Sequence, residues 1–141
     1  MKKFSKDSFN IKQALNELMH VSGVIVIENV YNLNDIEEAR EIVNHFADTQ
    51  EQKESHFNAE AEASGKIKLQ QRVWNLFGKG EVFSKLISDD IVFSLMSKLL
   101  GSEFFCGSYC ASRLLPGSPG QELHLDYPYW DFYNSETFPM G

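Results

Sequence analysis

The stretch GVIVIENV at residues 23–30 is followed almost at once by LNDIEEAREIVNHFA at residues 33–47. The first stretch is a run of β-branched residues behind a glycine, a composition that predicts a β-strand. The second stretch places Asn34 and Glu37 in the order of a capping box, and a helical stripe of apolar residues predicts a helix to about Ala47. That stripe consists of Leu33, Ile36, Ile42, Val43 and Phe46. A strand followed by an amphipathic helix indicates mixed α and β structure.

The flanking sequence extends this unit in both directions. Apolar residues at helical spacing between Ile11 and Met19 predict a short helix that ends near His20. Residues 48–68 are mostly polar, so we expect a mobile surface loop there. Further elements are predicted in chain order: a strand at 72–77, helices at 82–87 and 91–100, a long strand at 104–115, a loop at 116–120 and a strand at 122–126. Helices early in the chain and strands late in it indicate an α+β fold class.

The composition limits the classes of protein to which the chain can belong. Its 141 residues carry 13 basic and 20 acidic side chains, a formal net charge of −7, and 43% of them are hydrophobic. This length suits one hydrophobic core, so residues 1–141 are expected to belong to a single domain. The acidic balance argues against a nucleic-acid surface, because phosphate contacts need clustered Lys and Arg. No apolar run approaches the roughly 20 residues that span a bilayer.

The cysteine content indicates the compartment. Cys106 and Cys110 are the two cysteines of the sequence, which excludes a disulfide framework. If residues 104–115 form a strand, the two thiols share a face about 13 Å apart and cannot bond to each other. We therefore expect buried free thiols. A cytoplasmic location is the expectation that follows.

The tripeptide His124-Leu125-Asp126 is the part of the sequence that points to chemistry. Alternate residues of a strand project from the same face, so the imidazole and the carboxylate would point to one spot. They supply two ligands of the 2-His-1-carboxylate triad, which holds Fe(II) and leaves open positions for substrates. An ordinary surface pair of His and Asp is the alternative interpretation.

Several separated motifs, taken together in order, make the chain resemble the phytanoyl-CoA dioxygenase family of Fe(II)/2-oxoglutarate-dependent oxygenases. The motifs are Gly23–Val30, Arg72–Leu76 with Lys79-Gly80, Leu99–Gly101, Pro116-Gly117 and Gln121–Asp126. The resemblance implies a double-stranded β-helix, a jelly-roll core with helices outside it. It also implies that His124 and Asp126 are metal ligands for Fe(II), with 2-oxoglutarate and O2 as co-substrates, and that a small organic molecule is hydroxylated.

The resemblance also implies a second histidine ligand far downstream and, beyond it, an arginine that pairs with 2-oxoglutarate. No histidine and no arginine follow Asp126 in these 141 residues. We therefore expect the N-terminal half of an oxygenase domain, with an incomplete jelly roll, inactive alone. The alternative is a non-catalytic scaffold or binding protein completed by a partner chain. An open sheet edge would provide the route for such a partner or for self-association.

Further candidate residues each have two interpretations. Arg113 either faces inward and contacts the carboxylate of the co-substrate or an acidic substrate, or it is an outward charge or forms an ion pair with a nearby acid. Gln121 either contacts the co-substrate or makes a hydrogen bond within its loop. The aromatic residues that follow the metal motif either form a wall of the substrate site or simply pack in the core. These aromatic residues are Tyr127, Tyr129 and Trp130.

Overall fold

A computed structural model of the chain describes residues 1–50, 65 and 69–120. Its strands are β1 (Lys2–Ser5), β2 (Ile25–Glu28), β3 (Gln70–Val73) and β4 (Ala111–Leu114). Its α-helices are α1 (Ile11–Asn16), which continues as a π-helical turn (Glu17–Val21), α2 (Leu33–Thr49), α3 (Glu81–Ile87) and α4 (Asp90–Leu100). Short 3-10 turns occur at Lys6–Ser8 and Leu76–Gly78. The mixture of helices and strands confirms the α+β class.

The described strands form two separate sheets of two strands each. β1 and β2 are parallel, with Phe4 opposite Ile27. β3 and β4 are antiparallel, and their register places Gln71 opposite Arg113. Across residues 1–50, 65 and 69–120 these two pairs are the whole of the sheet structure, and a jelly-roll core is not among the elements described there.

Helix α2 is longer than its sequence pattern indicated and is capped by a different residue. The side chain of Asn32, and not Asn34, caps the helix by accepting a hydrogen bond from the backbone N–H of Asp35 at 3.0 Å. At the other end the helix continues to Thr49, whose hydroxyl donates to the carbonyl of His45 at 2.7 Å. The first two residues of the predicted loop at 48–68 are therefore helical, and residues 51–64 and 66–68 lie outside the described part.

Both short helices predicted after the loop are confirmed. α4 begins behind Asp89, whose carboxylate accepts from the backbone N–H groups of Ile91 and Val92 at 3.0 and 3.4 Å. It ends at Gly101, where a φ of 92° turns the chain out of the helix. Apolar periodicity predicted a helix at 91–100, and a glycine directly after the last apolar residue is a local signal for its C-terminal end.

The two longer predicted strands are wrong over much of their length. The strand expected at 72–77 ends at Val73, because Asn75 adopts the left-handed region with φ 54° and the chain continues as a 3-10 turn. The strand expected at 104–115 is confined to Ala111–Leu114. Cys106 is exposed there and not buried as predicted, and its Sγ lies 3.3 Å from the carbonyl oxygen of Ser108.

Strand β1 was not predicted, because its sequence, KKFS, is mostly polar. It forms because pairing with β2 satisfies its backbone groups and because Phe4 is buried. The buried hydrophobic residues of the described part form two clusters. The first contains Ala39, Ala47, Val73, Leu76, Val82 and Phe83, and the second contains Phe4, Ala14 and Leu95. Within the described residues, no helix has both the length and the apolar composition needed to cross a bilayer.

Candidate functional site

The predicted site residues fall into two groups. Arg113 lies on β4 and is described by the structure. The other predicted site residues lie outside the described residues: the predicted metal ligands His124 and Asp126, the candidate Gln121, and the aromatic residues Tyr127, Tyr129 and Trp130. The structure therefore shows the strand and the turn that lead to the metal motif.

Arg113 joins three elements of the fold through one guanidinium group. Its Nε donates to Oε1 of Gln71 on β3 at 2.7 Å, and its Nη1 donates to Oδ1 of Asn44 on α2 at 2.9 Å. Its Nη2 forms an ion pair with Asp48, also on α2. Three of the five N–H groups of the guanidinium thus have protein partners. Of the two interpretations of Arg113, the ion pair with a nearby acid is present, and a contact with a co-substrate stays a prediction.

The local structure explains why these partners converge. Asn44 and Asp48 are four residues apart in α2, so both side chains lie on the same face of the helix. Gln71 is the residue opposite Arg113 in the β3–β4 register. The hydrogen bond from Arg113 lowers the pKa of the Asp48 carboxyl below its usual value, which keeps this group ionised. The Arg113 side chain is 23% exposed, whereas that of Asp48 is 63% exposed.

We call Arg113 and its partners Asn44, Asp48 and Gln71 the Arg113 cluster. This cluster links the two ends of the connection between α2 and β3. Asp48 lies just before that connection and Gln71 lies just after it, and both contact the same guanidinium. The chain beyond β4 is held beside β3 as well, because Leu115 N–H donates to the carbonyl of Leu69 at 2.8 Å. Gln70 Nε2 donates to the carbonyl of Pro119 at 3.1 Å. The backbone is therefore anchored to β3 two residues before Gln121.

The described residues do not themselves complete a metal site. Across residues 1–50, 65 and 69–120 there is no group of three or more His, Cys, Asp or Glu side chains that could hold a metal ion. His20 and His45 are exposed, and the His45 ring packs against Phe46 with centroids 5.2 Å apart.

Sequence reasoning missed the three partners of Arg113. The signal for Asn44 and Asp48 is their spacing of four residues, but the predicted helix stopped at Ala47 and left Asp48 in the loop. Gln71 carries no local signal, because only the pairing of β3 with β4 places it opposite Arg113. The cluster thus depends on contacts between residues 42 or more positions apart.

We expect Arg113→Met to lower the free energy of unfolding by about 2 kcal/mol, because the part-buried amides of Asn44 and Gln71 lose their donor. Arg113→Lys should restore less than half of the loss, since an ammonium cannot donate in the same fork. Urea denaturation of the three proteins measures the difference.

Arg40→Met is the matched control for this prediction. Arg40 pairs with Glu37 on the exposed side of α2, where both side chains are more than half exposed. An exposed pair of this kind contributes only about 0.3–0.5 kcal/mol. Equal losses in Arg113→Met and Arg40→Met would show that the cluster stabilises the fold no more than a surface ion pair does.

Comparison with known proteins does not assign the chain to a family. No protein-family model matches it, and a search of the curated proteins found no significant match. The interpretation of its function therefore rests on the residues themselves and on the geometry that leads to them.

Proposed function

We propose that this chain forms the N-terminal part of an Fe(II)/2-oxoglutarate-dependent dioxygenase that hydroxylates a small organic substrate. The observation that carries the proposal is the His124-Leu125-Asp126 motif, which follows β4 and an anchored turn. The antiparallel β3–β4 pair supports the proposal, because antiparallel strands are the material from which a jelly roll is built. The jelly-roll core itself belongs to the proposal.

The donor atoms of the motif fit the proposed metal. An imidazole nitrogen and a carboxylate oxygen are the ligand types of non-haem Fe(II) sites. His124 and Asp126 would hold the ion, and the second histidine would come from protein outside these 141 residues. The chemistry supplied by bound Fe(II), with O2 and 2-oxoglutarate as co-substrates, is hydroxylation of a C–H bond.

The other residues of the chain would orient the site and exclude water from it. The Arg113 cluster fixes β4 against β3 and α2, which sets the direction in which the chain approaches the metal motif. The N–H groups of Arg113 that do not bond to Gln71, Asn44 or Asp48, together with Gln121, remain candidates to bind the carboxylate of the co-substrate. The aromatic residues Tyr127, Tyr129 and Trp130 would line the substrate side. A cytoplasmic location is part of this proposal and accords with the unbonded thiols.

A second candidate function is a non-catalytic binding protein that a partner chain completes. The favouring observation is that each described sheet has two strands, and that Leu114 on β4 is 63% exposed. A partner strand could pair with such an edge. The oxygenase is the preferred candidate because a scaffold of this kind needs neither His124 nor Asp126.

Metal binding by the full chain tests the proposal without requiring activity. Mn(II) is a redox-stable probe for the Fe(II) site, and its electron paramagnetic resonance signal distinguishes free from bound ion. We expect His124→Ala and Asp126→Ala each to weaken Mn(II) binding at least about tenfold, because loss of an outer-shell partner alone costs 10–100-fold.

His45→Ala is the matched control, because His45 is an exposed histidine on α2. Its Mn(II) affinity should equal that of the unsubstituted chain. Unchanged Mn(II) binding in both His124→Ala and Asp126→Ala would rule out the proposed ligands. An equal loss in all three variants would indicate nonspecific binding to an acidic protein.

A further inference from the structure

The chain turns sharply directly after β4. Ser118 N–H donates to the carbonyl of Leu115 at 3.0 Å, which closes a four-residue turn around Pro116 and Gly117. Gly117 has a φ of 85°, the left-handed conformation that the third position of a type II turn requires. A proline at the second position is pre-set for the same turn. The Pro-Gly pair therefore favours this turn over other conformations of the segment.

Two hydrogen bonds attach the turn to β3 and the residue before it. Leu115 N–H donates to the carbonyl of Leu69 at 2.8 Å, and Gln70 Nε2 donates to the carbonyl of Pro119 at 3.1 Å. The hydroxyl of Ser118 lies 3.4 Å from the same carbonyl oxygen, but it belongs to the turn itself and does not link the turn to β3. Because Gln70 is half-buried on a paired strand, its amide holds the chain that leaves the turn.

This attachment lies close in the chain to the predicted metal ligands. Pro119 precedes His124 by only five residues and Asp126 by seven. A metal ion that binds these two residues has to order the chain that leads to them, and ordering a backbone costs entropy. A chain that is already attached at Pro119 has less freedom to lose, so the same ligands bind with higher affinity.

We propose that Gln70 is a positioning residue of the metal site, which raises the metal affinity of His124 and Asp126 through its bond to the Pro119 carbonyl. The proposal rests on the proposed function, because it needs these two residues to be ligands. Gln70 acts through the backbone of Pro119, so removing its donor weakens binding without removing a ligand. Gly117 contributes to the same effect, since the turn brings Pro119 within reach of Gln70.

The Mn(II) affinity of the full chain, measured by electron paramagnetic resonance, tests this role. Gln70→Met keeps the length of the side chain and removes the donor. We expect it to weaken Mn(II) binding about three- to tenfold, the range that the net contribution of one hydrogen bond supports. Gln13→Met is the matched control, because Gln13 is an exposed glutamine on α1 whose Oε1 accepts from Lys2. Its Mn(II) affinity should equal that of the unsubstituted chain.

Gly117 offers a second pair of variants, one of which is a rescue. Gly117→Ala strains the turn, because alanine is disfavoured at this φ. The strain is conformational and not a clash, since the nearest atom to the added Cβ is Cδ1 of Leu69 at 3.9 Å. We expect Gly117→Ala to weaken Mn(II) binding by a factor similar to that of Gln70→Met. Gly117→Asn should retain more of the affinity, because asparagine tolerates this position of the turn.

Leu95→Ala separates positioning from a general loss of stability. Leu95 is 6% exposed, and its buried cluster contains no residue of the turn, so its truncation destabilises the fold at a distance from Gln70. The Leu95→Ala protein, with far-UV circular dichroism verifying that it is folded, should bind Mn(II) as the unsubstituted chain does. If it weakens binding as much as Gln70→Met, the positioning role is overturned.

The remaining outcomes distinguish this proposal from the proposed function. If His124→Ala and Asp126→Ala weaken Mn(II) binding but Gln70→Met and Gly117→Ala do not, the positioning role is overturned and the ligands stand. If none of the four variants changes the affinity, the proposed function is overturned, and the positioning role with it. If Gln70→Met does not fold, Gly117→Ala and Gly117→Asn decide the question, because Gly117 lies outside the helices and strands.

Discussion

Phe83→Ala is expected to lower the free energy of unfolding by about 3–5 kcal/mol. Phe83 lies on α3, is 2% exposed and belongs to the cluster that joins α2, α3 and β3. Its ring packs edge-on against Tyr109 with centroids 6.1 Å apart, so the substitution also removes an aromatic contact. A domain of this size has a total stability of roughly 5–15 kcal/mol, which makes the loss a large share of it.

Guanidinium denaturation followed by circular dichroism measures this loss. The denaturant concentration at the midpoint of unfolding should fall, while the dependence of the unfolding free energy on denaturant stays the same. Leu33→Ala is the control, because an 83% exposed residue on α2 should change stability by less than about 0.5 kcal/mol. Phe83→Leu should lose less than Phe83→Ala, since more of the buried volume is retained. A loss below about 1 kcal/mol in Phe83→Ala would contradict the close packing that the structure gives this ring.

Leu95→Ala is expected to lower the free energy of unfolding by about 2–5 kcal/mol. Leu95 is 6% exposed and packs in the second cluster, where α4 meets β1 and α1. The side chain belongs to the same buried cluster as Phe4 and Ala14, so its truncation removes apolar contacts and leaves a cavity. The same denaturation experiment measures the effect, with the Leu33→Ala control.

The double variant Phe83→Ala, Leu95→Ala tests whether the two clusters are independent. The clusters share no buried residue, and distant sites usually add to within about 0.3–0.5 kcal/mol. We expect the two losses to add, if the double variant remains folded at low denaturant. A coupling above about 1 kcal/mol would show that the two clusters pack as one core.

Elements with local signals could be predicted from the sequence. The strand at Ile25–Glu28, the helix behind it and the two short helices at 81–100 follow from β-branched runs, apolar periodicity and terminal residues. The predicted ends of strands were wrong where a tertiary contact decides the end. β3 stops at Val73 because Asn75 takes a left-handed conformation and Leu76 N–H donates to the carbonyl of Tyr109. No local pattern encodes that partner.

The candidate site also contains residues that the sequence predicts and residues that only the fold brings together. His124 and Asp126 could be proposed from the sequence alone, because a spacing of two residues on a strand is a local property. The partners of Arg113 could not, because Asn44 lies 69 positions away and Gln71 lies 42 positions away. The sequence left two interpretations of Arg113 open, and the β3–β4 register together with the face of α2 supplied its partners.

Composition and periodicity determined the α+β class and the order of the helices, since each depends on residues close together in the chain. The metal site at His124 and Asp126 stays a prediction from the same kind of local pattern. Tertiary structure decided which strands pair, where they stop and which acid meets Arg113. It also produced β1, a polar stretch that is extended because β2 is beside it. The physical reason is that backbone hydrogen bonds between strands and the burial of single side chains such as Phe4 depend on distant partners.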